Sequence, residues 1–167
     1  MTTCNNKITK LVGQKYIKYD SVPGLCKRFD KNLLDKFDAP ARAKIKEILG
    51  EFVQDNPNIY EQDLIIVSPT CKYKFLELQV CTNWINQKFP YDYVYLYARK
   101  ARYGKDTIFM TINRFLSRAY LFDYASIEGI KPKRIKKYSR TFVYHIPWRK
   151  ALYVDLELLD KELIESY

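Results

Sequence analysis

Two acidic residues on neighbouring predicted strands are the residues of this chain best suited to chemistry. Asp63 opens an apolar run of strand length that ends at Ser68, and Glu77 lies in the next strand-like segment. Glu77 and Gln79 share a face, because side chains two apart in a strand point the same way. If the two strands pair as a hairpin, the carboxylates of Asp63 and Glu77 converge beside the Leu78 carbonyl. Hard oxygen donors of this kind suit Mg²⁺, or Mn²⁺ in its place.

A divalent ion at this position would have a clear chemical use. It would lower the pKa of a bound water and offset negative charge on a scissile phosphate. Glu77 also interrupts an apolar strand, where a carboxylate is costly to bury unless it is paired or metal-bound. The alternative is a partly exposed Glu77 that pairs with a lysine across the sheet.

A helix is predicted directly before these strands. It is expected to begin at Asp38, with Asp38 as its cap and Pro40 in its first turn, and to end at Asn56-Pro57-Asn58. Glu47 and Glu51 lie on its polar side, and Glu51 is the preferred candidate for a helix carboxylate; the alternative is solvated charge. Apolar residues recur at helical spacing along it: Ile45, Ile48, Leu49, Phe52 and Val53.

The other segments predict a mixture of strands and short helices. The tyrosines of Tyr91 to Arg99 favour a strand, whereas Gly104 would equally suit a helix C-terminus. Strands are expected over Tyr73 to Cys81, Thr107 to Ile112, Thr141 to Ile146 and Ala151 to Val154, and helices over Lys31 to Phe37 and Leu156 to Ile164. These elements predict a single α/β domain over 1–167, with a central mixed β-sheet flanked by helices. Its parts are a lead-in segment (1–39), a core (40–127), and a final part (128–167) with a basic loop, strands and a helix.

The order of helix, Asp63 and then Glu77-x-Gln79 resembles the PD-(D/E)XK nuclease superfamily over residues 40 to 115. The resemblance implies a restriction-endonuclease-like fold and a metal-dependent nuclease, in which Asp63, Glu77 and the Leu78 carbonyl would bind the metal. Gln79 would stand where the family has its lysine, which positions the attacking water and supplies positive charge. A few restriction enzymes of the superfamily have glutamine there. Gln62 stands in place of the motif proline.

Net charge and cysteine usage narrow the class of partner. A net charge of +10 with a pI near 9.3 indicates an anionic partner, either nucleic acid or an anionic membrane. No apolar run reaches the length of a transmembrane helix and the first residues lack a signal-peptide pattern, so nucleic acid, preferably DNA, is expected and a membrane is not. The cysteines Cys4, Cys26, Cys71 and Cys81 show no CxxC spacing and His145 is the only histidine, which argues against a zinc finger. An intracellular protein of the cytoplasm or nucleus, with reduced thiols, is expected. The free-standing basic domain is similar to nucleases of large DNA viruses and mobile elements.

Two basic clusters are expected to contact nucleic acid, because basic residues interleaved with aromatic ones suit phosphate contacts and base stacking. The first cluster contains Arg99, Lys100, Arg102 and Lys105, and the second contains Lys131, Lys133, Arg134, Lys136, Lys137 and Arg140. The second could instead be a nuclear localisation signal or a solvated loop. Asn113 and Arg114, at the end of a predicted strand, could reach a phosphate or act as ordinary turn residues.

Three functions remain open from the sequence. The first is a metal-dependent endonuclease or exonuclease. The second is a non-catalytic nucleic-acid-binding protein with an inactivated nuclease fold, which is suggested by Gln79 in place of the motif lysine. The third is a structural or interaction protein, in which the acidic C-terminal segment pairs with a basic patch on a second copy and forms a homodimer. The acidic residues concerned are Asp155, Glu157, Asp160, Glu162 and Glu165.

Overall fold

The computed structural model of the chain describes residues 16–17, 27–28, 31–135 and 141–167. Its α-helices are α1 (Lys31–Leu33), α2 (Ala39–Leu49) and α3 (Lys161–Ser166). Its strands are β1 (Tyr16–Ile17), β2 (Lys27–Arg28), β3 (Val53–Asp55), β4 (Leu64–Ile66), β5 (Phe75–Cys81), β6 (Val94–Tyr97), β7 (Thr107–Asn113), β8 (Arg118–Asp123), β9 (Lys133–Arg134), β10 (Phe142–Ile146) and β11 (Leu152–Asp155). The predictions made for Cys4, Cys26, Lys136, Lys137 and Arg140, and for most of the lead-in segment, lie outside the described residues.

A six-stranded sheet forms the centre of the fold, in the order β11-β8-β7-β5-β4-β3. β5 and β7 run parallel, and the other neighbours in this sheet are antiparallel. A second sheet has the order β6-β10-β9, with antiparallel pairing throughout. The predicted α/β class and the central mixed sheet are therefore confirmed. No helix in the described ranges is both long enough and apolar enough to cross a membrane.

Helices cover one face of the central sheet. The apolar side of α2 packs Ala41, Ile45 and Leu49 into a core that also contains Leu76 of β5 and Ile164 of α3. All five side chains are buried. Burial of this amphipathic face fixes α2 beside the β4–β5 hairpin, which positions the candidate site.

The opposite face is covered by the second sheet, so the predicted flanking of the central sheet by helices holds for one face only. Side chains alternate along β7 and β8, which turns Phe109 and Phe122 away from the helical face. These two rings stack with their centroids 5.6 Å apart and pack against Val94, Leu96 and Ile146 of β6 and β10. The fold consequently has three layers: helices, the central sheet and the small sheet.

The start of α2 differs from the predicted capped start. The chain is already helical from Lys31, in agreement with the short helix expected there, and a π-helical turn over Leu34–Asp38 leads straight into α2. Asp38 has helical backbone angles and its side chain makes no capping hydrogen bond. The prediction that Asp38 caps the helix is therefore wrong, while the prediction that Pro40 lies in the first turn of α2 is confirmed.

The predicted end of α2 at Asn56-Pro57-Asn58 is also wrong. The helix stops at Leu49, because Gly50 adopts a φ of +54°, which glycine tolerates better than other residues. Phe52 lies in a 3-10 turn and Val53 begins β3, and both are buried. The spacing of Phe52 and Val53 matches the apolar pattern of a longer helix, but these side chains enter the core from a turn and a strand.

Both interpretations of the tyrosine-rich segment hold for part of it. β6 covers Val94–Tyr97, and a 3-10 helix over Ala98–Tyr103 then ends at Gly104, which has a φ of +71°. The strands expected near Thr107, Thr141 and Ala151 are present as β7, β10 and β11. The last helix begins at Lys161 instead of Leu156, because the Asp160 carboxylate accepts a hydrogen bond from the Leu163 N–H and caps it.

Candidate nucleic-acid and metal site

The open end of the β4–β5 hairpin brings the two predicted carboxylates together. Leu64 pairs with Leu76 in the antiparallel ladder, which sets Asp63 beside Glu77 and Leu78. The Asp63 N–H donates to Glu77 Oε2 at 3.1 Å, and the Leu78 N–H donates to Asp63 Oδ2 at 2.9 Å. Each carboxylate therefore binds the backbone of the other strand and holds the two strands in register where the ladder stops.

Lys100 joins these groups, although it was expected in the first basic cluster as a contact to nucleic acid. Its Nζ lies 2.8 Å from Glu77 Oε1 and donates to the Leu78 carbonyl at 2.9 Å. The two side chains are only 13% and 8% exposed. Lys100 belongs to the 3-10 turn after β6, where Ala98 and Ala101 are small enough to let the turn pack closely. This pair of alanines is the one signal in the sequence that could have suggested a buried lysine.

Burial and charge shift the proton affinities of both partners upward. Burial and, to a smaller extent, the neighbouring Asp63 raise the pKa of Glu77, Lys100 opposes the shift, and the result is a pKa of about 7. Burial lowers the pKa of Lys100, but the carboxylates of Glu77 and Asp63 outweigh this and raise it overall. Lys100 therefore keeps its charge through the neutral range, and Glu77 ionises more reluctantly than an ordinary glutamate.

Helix α2 contributes an arginine to the site instead of the expected carboxylate. Arg42 Nη2 donates to Asp63 Oδ1 at 3.1 Å. Glu51 is exposed in the turn over Gly50–Phe52, after α2 has ended, and does not line the cavity described below. The prediction of Glu51 as a helix carboxylate is therefore wrong, because Gly50 redirects the chain before Glu51 is reached.

Gln79 lies one pleat beyond Glu77 on the same face, as predicted. Its Nε2 donates to the Tyr95 carbonyl at 3.0 Å and to Thr111 Oγ1 at 3.4 Å, which fixes the orientation of the amide. Its Oε1 is buried and has no hydrogen-bond partner in the described part of the chain. Buried acceptors are nearly always satisfied, so this oxygen is a candidate to accept a hydrogen bond from a ligand.

A cavity of about 810 Å³ opens over the carboxylates. Its floor is formed by the strand residues Asp63, Glu77, Leu78 and Gln79, and a second wall comes from the first helical segment with Phe37 and Arg42. The remaining wall comes from the small sheet and its turns, with Tyr91, Tyr93, Tyr95, Tyr97, Arg99, Lys100, Lys133, Arg134 and His145. The small sheet of β6, β10 and β9 thus provides one side of the cavity.

The predicted basic residues divide into two groups. Arg99, Lys100, Lys133 and Arg134 line the cavity. Arg102 instead supports the fold, since it donates to the Tyr60 carbonyl at 2.7 Å and pairs with Glu61. Lys105 forms an exposed pair with Glu128, and Arg114 and Lys131 are exposed away from the cavity lining.

Asn113 is a turn residue and not a phosphate contact. It is 1% exposed, and its Oδ1 accepts hydrogen bonds from the backbone N–H groups of Ser117 and Arg118 at 2.8 and 2.9 Å. Its Nδ2 donates to Ser117 Oγ at 2.9 Å. These bonds hold the β7–β8 turn, in which Leu116 takes a left-handed φ of 57°.

We expect Asn113→Ala to lower the free energy of unfolding by about 1–2 kcal/mol, because two part-buried backbone donors lose the buried side chain that accepts from them. Urea denaturation measures this change. The matched control is Asn58→Ala, which removes one exposed turn bond to the Tyr60 N–H and should cost less than about 1 kcal/mol. A parent-like midpoint for Asn113→Ala, or a selective loss of nucleic-acid binding, would contradict this role.

The donor atoms at the hairpin fit a hard divalent cation. The Lys100 ammonium already contacts both Glu77 Oε1 and the Leu78 carbonyl. The position between these two oxygens therefore favours a positively charged group. Two carboxylates and a carbonyl are a sufficient protein contribution for Mg²⁺, which keeps several waters. Among the residues with described positions, no group of three or more His, Cys, Asp or Glu side chains could hold a metal. Any metal here would therefore rely on the carbonyl and on water as well as on Asp63 and Glu77.

Comparison of the chain with protein-family models, with curated proteins and with solved structures finds no match. The fold and the site define an α/β protein with a three-layer arrangement and a carboxylate pair in a tyrosine-lined cavity.

Proposed function

We propose that this protein is a metal-dependent nuclease that hydrolyses phosphodiester bonds, preferably in DNA, with Mg²⁺ or Mn²⁺ as its cofactor. The observation that carries the proposal is the meeting of Asp63 and Glu77 with Lys100 on the floor of a cavity. A buried carboxylate with a raised pKa and a charged partner, such as Glu77, is a candidate for a functional site when it lines a cavity. The resemblance to the PD-(D/E)XK arrangement supports the same reaction.

Each residue of the site has a role in this proposal. Asp63, Glu77 and the Leu78 carbonyl would hold the metal, which would supply an acidified water and positive charge at the phosphate. Lys100 provides the positive charge that Gln79 lacks, and it lies 2.8 Å from Glu77. Gln79 Oε1 accepts a hydrogen bond from the attacking water, and Arg42 keeps the Asp63 carboxylate oriented.

The proposal is tested by incubating the full chain with labelled DNA and RNA in Mg²⁺, in Mn²⁺ and in EDTA. We expect cleavage with either metal and none in EDTA. Asp63→Asn should lower the rate by about a hundredfold or more, because the amide keeps one oxygen but loses the charge that attracts a metal.

Asp55→Asn is the matched control, since Asp55 is exposed and pairs with Lys46 outside the cavity. It should cleave as fast as the parent. A nuclease contaminant would survive Asp63→Asn, so cleavage by that variant at the parent rate would refute the site.

A non-catalytic nucleic-acid-binding protein is the second candidate, and one observation favours it. The Lys100 ammonium already pairs with Glu77 and donates to the Leu78 carbonyl. These oxygens therefore have a positive partner without any metal. This candidate predicts salt-sensitive binding without turnover in Mg²⁺ or Mn²⁺. Titration with Mn²⁺ separates the two, because only the nuclease has a Mn²⁺ site that Asp63→Asn weakens.

A further inference from the structure

We propose that the tyrosine side of the cavity binds unpaired bases, so that the substrate is single-stranded nucleic acid. The tyrosine wall is defined here as Tyr91, Tyr93, Tyr95 and Tyr97. The inference deepens the proposed function by naming its substrate class, but the binding itself depends on the wall and needs no metal.

The wall results from the alternation of side chains along β6. Val94 and Leu96 are 0% and 1% exposed and pack against the central sheet. Tyr95 and Tyr97 therefore point to the other face and into the cavity lining, together with Tyr93 just before the strand. Val94 and Leu96 attach the small sheet to the core, and of the four tyrosines Tyr95 also packs against the buried cluster that contains Cys81.

Three rings of the wall contact one another, the fourth stacks on a histidine, and the wall is partly exposed. Tyr93 stacks on His145 with centroids 3.5 Å apart, and Tyr95 contacts Tyr91 and Tyr97 edge to face at 5.8 and 5.6 Å. Tyr91 is 38% exposed. Aromatic surfaces of this kind stack on bases of any sequence, because every base has a π-face.

Cations without a carboxylate partner lie along the wall. The Arg99 guanidinium lies 4.3 Å from the centroid of the Tyr97 ring, and its buried Nε has no hydrogen-bond partner within the described residues. Lys133 and Arg134 are exposed on β9, and in the described ranges neither they nor Arg99 form an ion pair with a carboxylate. Positive groups beside rings suit a phosphate backbone whose bases stack on those rings.

The size of the cavity favours unpaired nucleotides over a duplex. At about 810 Å³ it has the volume of a pocket for a small ligand, of the order of 300–1,000 Å³. Bases in a duplex stack on one another, so their faces reach an aromatic wall only after extrusion, which costs unpairing and unstacking energy. The wall and the carboxylates line the same cavity, and Gln79, two residues after Glu77, donates from Nε2 to the Tyr95 carbonyl at 3.0 Å. A strand held on the wall therefore places its backbone beside Asp63 and Glu77.

The test is fluorescence anisotropy in EDTA with short labelled single strands of DNA and RNA and with the matching DNA duplex, at about 0.1 M salt. The full-length chain should bind at least one kind of single strand about tenfold more tightly than the duplex. Tyr93→Leu and Tyr97→Leu should each weaken single-strand binding about tenfold or more and change duplex binding by less than about twofold. Tyr93→Phe should keep parent affinity, because it retains the ring.

Tyr153→Leu is the control for a lost tyrosine, since Tyr153 is 40% exposed on β11 and does not line the cavity. It should bind like the parent. Duplex binding equal to or tighter than single-strand binding, or parent-like affinity of both leucine variants, would overturn the inference. Tyrosine-dependent binding without cleavage would refute the nuclease but support the wall. Cleavage of duplex DNA that is unchanged in the tyrosine variants would support the nuclease but refute the role of the wall.

Discussion

Glu77→Gln is expected to lower metal-dependent cleavage by about a thousandfold or more, while nucleic-acid binding in EDTA is retained. Glu77 is 6% exposed, and its two oxygens contact Lys100 and the Asp63 N–H. Glutamine keeps the shape of this side chain but removes the charge that a metal and Lys100 both require. Single-turnover cleavage and anisotropy on the same preparation measure the two effects.

Glu157→Gln is the matched control, because Glu157 is exposed in the turn before α3. It should leave cleavage unchanged. If Glu77→Gln cleaved within tenfold of the parent rate, the carboxylate would have no part in the reaction.

The same variant carries a pH signature in stability. Because burial raises the pKa of Glu77 from 4.5 to about 7, the folded parent binds this proton more tightly than the unfolded chain between these values. The stability contributed by the protonated group is complete below pH 4.5 and is lost as the pH rises through about 7. Glu77→Gln cannot titrate there, so its stability relative to the parent should increase with pH across this window. Urea unfolding of both proteins at several pH values measures the trend, and a constant difference would contradict the raised pKa.

Lys100→Met is expected to lower the free energy of unfolding by about 3–5 kcal/mol, because it leaves the buried Glu77 carboxylate without its cation. The pair is nearly inaccessible, with side chains 13% and 8% exposed, so water cannot replace the lost ammonium. Cleavage should also be lost, since the charge that Gln79 lacks is removed. Urea denaturation gives the stability change.

A second substitution distinguishes a lost ion pair from a lost packing contact. Adding Glu77→Leu to Lys100→Met removes the unpaired charge and should recover most of the stability without restoring cleavage. Lys105→Met is the surface control, because Lys105 is 78% exposed and its pair with Glu128 should be worth less than about 1 kcal/mol. Equal stability losses for the Lys100 single and double variants would show that the charge pair is not the cause.

The local parts of the site were predictable and the long-range part was not. Asp63 and Glu77 lie at the open end of a hairpin of two apolar strands, so strand periodicity and hairpin pairing were enough to bring them together. Lys100 is distant in sequence from Leu78, since the two residues are 22 positions apart. In a run of basic residues it resembles a solvated lysine, because its burial depends on how a turn from another sheet docks.

The second sheet is another long-range feature that the sequence pattern could not predict. Alternation in residues 93–97 indicated a strand, but a pattern of period two does not say which sheet the strand joins. Val94 and Leu96 could equally have extended the central sheet. Their pairing with β10, which is nearly fifty residues further on, decided that the tyrosines would face the carboxylates.

The parallel pairing of β5 with β7 has a consequence for how the site assembles. Parallel neighbours cannot be joined by a tight turn, so the chain between Cys81 and Thr107 must make a crossover. That crossover carries both β6 and Lys100. The carboxylates can meet as soon as the local hairpin forms, but their counter-charge arrives only with the slower, non-local closure of the crossover. Completion of the central sheet is thus also the event that neutralises the buried acid, and a half-folded chain has a carboxylate pair without its counter-charge.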